Sequence, residues 1–167
     1  MHKLKSTEIW GCLITMAAGV LLHFLYDWSG QTPFAAWIAP VNESAWEHLK
    51  LLFYPMLFVT IAEYYLLDKP KTDYWNIKTY AIFLGMGFII AGFYTYSGIL
   101  GFSLPPVDIG LYFVGVIIAF SYSFHYLREG THYTLSNIPF FLILAVTALS
   151  FAVFTWLPPQ IALFKTA

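Results

Sequence analysis

Long apolar runs alternate with short polar stretches along this chain. A transmembrane α-helix needs about 20 apolar residues, and five runs come close to that length: 8–27, 45–67, 77–97, 107–127 and 138–157. Each run is continuously apolar and does not alternate, so the pattern favours helices over the strands of a barrel. It predicts an all-α integral membrane protein, a bundle of five transmembrane helices that forms a single domain over residues 1–167.

The composition agrees with a protein that lives in lipid. Of the 167 residues, 59% are hydrophobic and 10% are charged, whereas soluble domains have about 25% charged residues. The formal net charge is −1, and no basic stripe is present, which excludes nucleic acid as a partner. The single cysteine, Cys12, excludes an internal disulfide.

The basic residues predict the orientation in the membrane. Loops on the cytoplasmic side carry an excess of lysine and arginine. Lys50 and Lys165 fall on one side of the predicted bundle. The other six fall on the side of the N-terminus: Lys3, Lys5, Lys69, Lys71, Lys78 and Arg128. We therefore expect a cytoplasmic N-terminus and, after five spans, a C-terminus outside.

Small and polar residues recur every four positions along the first predicted helix. The stripe consists of Gly11, Thr15, Gly19, His23 and Asp27. Small residues let helix backbones approach closely in lipid, so the stripe predicts a packing face. It would also direct His23 and Asp27 into the outer end of the bundle. The alternative is a packing seam that ends in an interfacial His–Asp pair.

The connection after the first helix contains a short apolar segment, residues 34–40. Seven residues are too few to span a bilayer. We expect this segment to lie on the outer membrane surface. The alternative is a lid that folds back over the bundle.

Polar side chains crowd the start of the second predicted helix, between Asn42 and Lys50. Ser44 and Glu47 fit the S-x-x-E capping box, in which each side chain binds the other residue's backbone N–H. Lys50 is long enough to extend its ammonium group back to the interface. Capping leaves His48 unexplained, because its short side chain would face lipid or partners inside the bundle.

The topology brings several of these polar groups to the same, outer end of the bundle. It predicts a pocket between the first two spanning helices, built from His23, Asp27, Asn42, Glu43, Glu47 and His48. Imidazole and carboxylate groups suit a zinc-like divalent metal. The candidate ligands are His23, Asp27, Glu43 and His48. Neither an H-E-x-x-H nor a G-x-S-x-G motif is present, so no catalytic residue is assigned.

Four pieces of the chain resemble an uncharacterised family of small, multi-spanning bacterial membrane proteins, a domain of unknown function. The most specific piece is V-N-E-S-x-W-E-H-x-K at residues 41–50; the others are H-F-x-Y at 23–26, Y-S-G at 96–98 and F-T-W-x-P-P at 154–159. The resemblance implies one polytopic domain in a bacterial cytoplasmic membrane. It implies no activity.

Three functions remain open on this evidence. In the first, the outer pocket binds or translocates a cation or a small polar solute, and a homodimer would enclose the path that five helices are too few to enclose. In the second, the protein is a metal-dependent hydrolase that acts at the outer interface. In the third, it is a non-catalytic helper subunit of a membrane complex.

Overall fold

The computed structural model describes residues 2–68, 70, 73–130 and 137–165, and this part of the chain is almost entirely helical. Lys69 and Lys71, which contribute to the predicted orientation, lie outside the described residues. The α-helices are α1 (His2–Trp28), α2 (Pro33–Ile38), α3 (Ala45–Leu66), α4 (Tyr74–Leu100), α5 (Pro105–Glu129) and α6 (Ile138–Trp156), and a 3-10 turn follows at Ala162–Phe164.

Five of these helices, all except α2, are long and apolar enough to cross a membrane. The described ranges contain no strand. Both findings confirm the predicted all-α membrane protein with five spanning helices. α1 begins at His2, six residues before the apolar run that predicted it. Its first two turns consist largely of polar residues, which a pattern of apolar runs does not detect. Gly101 and Gly130 directly follow α4 and α5, and their positive φ angles (79° and 64°) are those of the left-handed residue that commonly follows a helix.

Side-chain contacts define two ends of the bundle. At the end where α1 begins, which we call the N-terminal end, Lys78 of α4 contacts Glu8 of α1 and Glu63 of α3. At the opposite end, which we call the C-terminal end, His23 of α1 meets His48 of α3. Between the two ends, the core is a packed apolar cluster centred on α3, with Leu49, Leu52, Phe53 and Met56 fully buried or nearly so.

The stripe on α1 is indeed a packing face, but only over part of its length. Gly11, Thr15 and Gly19 are buried, His23 is half-buried and Asp27 is exposed. An α-helix has about 3.6 residues per turn, so positions four apart drift by about 40° at each step. Over the four steps from Gly11 to Asp27 the drift reaches about 160°, which turns Asp27 away from the face that Gly11 presents.

Gly19 allows α1 to lie close to α3 and α5. A Cβ atom at this position would stand 2.6 Å from the backbone oxygen of Leu51 and would overlap the Tyr112 hydroxyl. Leu51 is four residues before Pro55, and a proline has no N–H to donate to that carbonyl. The glycine therefore lies where α3 exposes a carbonyl group that lacks its usual helical partner.

The apolar segment after α1 forms the short helix α2. Thr32 caps it through a hydrogen bond from the Ala35 N–H to the Thr32 hydroxyl (3.4 Å). Ala35 and Ala36 are buried, whereas Phe34 and Trp37 are exposed. The segment thus has two faces, one packed on the bundle and one turned outward.

Candidate functional site

The first turn of α3 is held by two side chains that precede it. Ser44 accepts a hydrogen bond from the Glu47 N–H (3.3 Å), as an N-cap residue does. The Ser44 N–H, however, donates to the side-chain oxygen of Asn42 (2.9 Å). Asn42 therefore does what the predicted capping box assigns to the carboxylate of Glu47, and the reciprocal half of that box is not formed.

The Glu47 carboxylate lies inside the protein and serves a different purpose. Its Oε2 accepts from the Val41 N–H (3.0 Å) and from Lys50 (2.7 Å), and its Oε1 accepts from the Thr155 hydroxyl (2.9 Å). Glu47 is 2% exposed. These contacts join the loop before α3, α3 itself and the end of α6.

Lys50 is fully buried beside Glu47, so the expectation that it extends to the interface was wrong. Its ammonium group donates to the carbonyls of Ala36 (2.9 Å) and Ala39 (3.3 Å), and to the Thr155 hydroxyl (2.6 Å). Carbonyls at the end of α2 thus supply the acceptors that water would supply at the surface, which removes the reason for the side chain to extend outward.

His48 is oriented by the backbone of the same helix. Its Nδ1 lies 2.9 Å from the carbonyl oxygen of Ser44. A carbonyl can only accept, so Nδ1 carries the hydrogen, and in the neutral ring Nε2 is left with its lone pair. A hydrogen bond of this type, on the far nitrogen, is what fixes metal-binding histidines in proteins.

The Nε2 atom of His48 faces two other groups that can bind a cation. It lies 3.3 Å from Nε2 of His23, at the end of α1, and 3.2 Å from Oε2 of Glu43, in the loop before α3. All three ligand atoms lie within 4.8 Å of one another. Glu43 is largely exposed and the two histidines are half-buried, so the group is open to solvent on one side.

Two of the three distances within this group match a tetrahedral metal site. Ligands bound to zinc at about 2.0–2.1 Å are separated by about 3.3 Å, which is the edge of the tetrahedron. The two distances from His48 Nε2, 3.3 Å and 3.2 Å, agree with that edge. Two imidazoles and one carboxylate provide three ligands and leave the fourth position for water.

The structure does not bring every predicted pocket residue into this group. His23, Glu43 and His48 come together. Asp27 is exposed and is not part of the group, Asn42 is used to cap α3, and Glu47 is paired with Lys50. We call His23, Glu43 and His48 the two-histidine site.

Two other polar contacts at the C-terminal end stand apart from this site. The Tyr96 hydroxyl donates to the carboxylate of Asp108 and accepts from the Leu104 N–H (3.0 Å), which holds the turn between α4 and α5 together.

Thr155, which contacts Glu47 and Lys50, was not among the predicted site residues. A threonine in an apolar helix commonly bonds a carbonyl of its own helix, so the residue type alone does not indicate a site. The one signal in the sequence is that Thr155 belongs to the F-T-W-x-P-P piece.

At the N-terminal end, Lys78 forms an ion pair with Glu63 (2.5 Å). The carboxylate of Glu8 lies 2.7 Å from the same ammonium group. Glu8 precedes Gly11 by three residues and therefore lies on the packing face of α1. The three-residue spacing from Gly11 is thus the feature of the sequence that places Glu8 inside the bundle.

Comparison with known proteins identifies the family of this chain. No curated protein and no solved structure matches the chain. The model of one family of unknown function matches residues 1–167, the whole length of the sequence. The protein therefore belongs to the DUF6512 family.

Proposed function

We propose that this protein binds a zinc-like divalent cation at the outer face of a bacterial cytoplasmic membrane. The observation that carries the proposal is the triangle of His23, Glu43 and His48. Three possible ligand atoms converge there, and the two distances from His48 Nε2 equal the edge of a zinc tetrahedron. With His48 in the tautomer that Ser44 selects, its Nε2 presents a lone pair to the space between His23 and Glu43, as a metal ligand does.

Binding is better supported than passage through a single chain. The region between the two ends of the bundle is filled by apolar side chains, including Leu52, Phe53 and Met56, none of which is exposed. A hydrated ion needs a polar or water-filled route through the membrane. The site therefore supports capture of a cation at the surface, and a homodimer remains a prediction about how a path would form.

The hydrolase hypothesis ranks second. Three protein ligands and an open fourth position are also the arrangement of catalytic zinc sites. A hydrolase also needs a base near the metal, and Glu47, the buried candidate, already accepts hydrogen bonds from Val41, Lys50 and Thr155.

The helper-subunit hypothesis ranks third, because the small residues of α1 that would dock a partner already pack within the bundle.

Calorimetric titration of the purified, metal-free protein with Zn²⁺ tests the proposal. We expect one ion per chain, with proton release that increases as the pH is lowered, because the ligands must lose protons to bind. Loss of an outer-shell partner costs about 10–100-fold in metal affinity, so His48→Ala and His23→Ala should each weaken binding by at least about 100-fold.

Asp27→Asn is the matched control, since Asp27 is an exposed carboxylate at the same end of the bundle and lies outside the triangle. It should bind Zn²⁺ as the unaltered protein does. Equal affinity in the protein and in both alanine variants would sink the proposal. Cation uptake into reconstituted vesicles distinguishes binding alone from transport. Transport predicts a flux of the cation that His48→Ala abolishes, whereas binding alone predicts no flux.

A further inference from the structure

Four buried polar side chains, each from a different helix, meet at the N-terminal end. The Lys78 ammonium lies 2.7 Å from Glu8 Oε1 and 2.5 Å from Glu63 Oε2. The Ser123 hydroxyl donates to Glu8 Oε1 (3.0 Å). None of the four is more than 3% exposed. We call Glu8, Glu63, Lys78 and Ser123 the acid–lysine cluster.

The charges of this cluster do not balance if both acids are ionised. Two carboxylates face one ammonium group, which leaves a net charge of −1 in the interior. Among the described residues, Cys12 of α1 and Tyr74 of α4 also interact with these carboxylates. A thiol and a phenol cannot supply a positive charge. An uncompensated charge at this depth is strongly unfavourable.

Each acid also has one oxygen that receives no hydrogen bond from the described residues: Oε2 of Glu8 and Oε1 of Glu63. Tyr74 lies beside Glu63, but its single hydroxyl proton is donated to the carbonyl of Thr60 (2.7 Å). Buried polar atoms are almost always paired. One bound proton would cancel the excess charge, and it would have a free carboxylate oxygen on which to sit.

A groove gives this cluster contact with the outside of the bundle. It lies between α1 and α3, has a volume of about 460 Å³, and Glu63 and Gly11 are in its wall. A Cβ atom at Gly11 would overlap Glu63 Oε1. The absence of a side chain at Gly11 therefore lets Glu63 reach the wall of the groove, where its Oε1 is buried against the glycine.

From these observations we propose that the acid–lysine cluster is a binding site for one exchangeable proton, held by the Glu8–Glu63 pair and exchanged through the groove. A carboxylate takes the proton from hydronium and leaves water, so no electron is transferred. The protonated cluster is neutral, with one carboxylate against Lys78. The proposal is independent of the two-histidine site, which lies at the other end of the bundle.

Infrared spectroscopy of the full-length protein in detergent micelles detects such a proton directly, through the C=O stretch of a protonated carboxyl group. Glutamic acid in water is half-protonated near pH ~4.3, so a band that persists at neutral pH marks a bound proton. We expect the band in the unaltered protein, a shift of the band on transfer to D₂O without unfolding, and its loss in both Glu63→Gln and Glu8→Gln. In either variant the remaining carboxylate alone balances Lys78.

Asp68→Asn is the matched control, because Asp68 pairs with Lys3 at the same end of the bundle but on the surface (2.6 Å). It should keep the band. Lys78→Met should about double the band, because both acids then lose their cation. Absence of the band from the folded protein, its persistence in both glutamine variants, or no response to D₂O would overturn the proposal. So would loss of the band when Na⁺ replaces choline, since the occupant would then be a metal ion.

Discussion

At the scale of single residues, the feature that most determines the C-terminal end is the burial of Lys50. Four oxygen atoms surround an ammonium group that has three protons, and the longest of the four contacts is to Ala39 (3.3 Å). The group is compensated by Glu47 and by carbonyls that the protein places around it. Removal of either partner leaves the other one charged, buried and unpaired.

We expect Lys50→Met to destabilise the protein by about 3–5 kcal/mol, because Glu47 loses its counter-charge in the interior. The double variant Lys50→Met with Glu47→Gln should recover much of that loss, since an uncharged amide tolerates the site better than a lone carboxylate. Thermal unfolding in detergent measures both effects.

Lys3→Met provides the control, because Lys3 also pairs with a carboxylate, that of Asp68, but on the surface. Exposed pairs contribute little to stability, so its melting temperature should stay close to that of the unaltered protein. Lys50→Met melting no lower than Lys3→Met would contradict the assigned role of Lys50.

The sequence predicts the residues of the two-histidine site better than it predicts the buried charges. His23 and His48 lie at consecutive helix ends that the topology brings together, so helix count alone places them near each other. The positions of Lys50 and Glu8 depend on what other helices present to them. Ala36 and Ala39 offer only backbone oxygens, which no pattern of side chains reveals.

At the scale of helices, the packing of α1 depends on Gly19. A side chain there would meet a backbone oxygen, which cannot move aside as a flexible side chain can. We expect Gly19→Ala to cost about 1–3 kcal/mol, the usual range for overpacking a close contact. The expected result is a lower melting temperature and weaker α1–α3 association.

Gly87→Ala is the matched variant, since a Cβ atom at Gly87 meets nothing within 4 Å. The same substitution should be neutral there or slightly stabilising, because alanine favours helix more than glycine does. Equal melting temperatures for the two variants would be inconsistent with close packing at Gly19.

The helices themselves follow from the sequence, because a run of apolar residues in lipid has few alternatives to an α-helix. The sequence predicts less well how each helix is rotated about its own axis. A stripe with a spacing of four describes a face correctly for about two steps, after which the drift of the real helix separates its members. Thr15 and Gly19 lie on the buried face, and Asp27 does not.

At the scale of the whole molecule, the buried lysines sharpen the predicted orientation. Lys78 and Lys50 lie in the interior, one at each end of the bundle. Without them, the basic residues that the structure describes are Lys3, Lys5 and Arg128 near the N-terminal end and Lys165 near the other end. We therefore expect the N-terminal end to face the cytoplasm.

Cysteine labelling tests this orientation in cells. With Cys12 replaced by alanine, single cysteines are introduced at Lys5 and at Gln160, which are both exposed and lie at opposite ends. A membrane-impermeant maleimide should label Gln160→Cys in intact spheroplasts and Lys5→Cys only after lysis. The reverse pattern would show that the two-histidine site faces the cytoplasm.

The buried lysine contacts also bear on the order in which the chain is made. Ribosomes build proteins from the N-terminus at about 5–20 residues per second. Glu47 precedes Lys50, and Glu8 and Glu63 both precede Lys78. Each buried cation therefore leaves the ribosome after its counter-ion, and only Thr155 arrives much later to complete the environment of Lys50. Membrane insertion can thus proceed helix by helix, with neither lysine waiting for an acid that has yet to be synthesised.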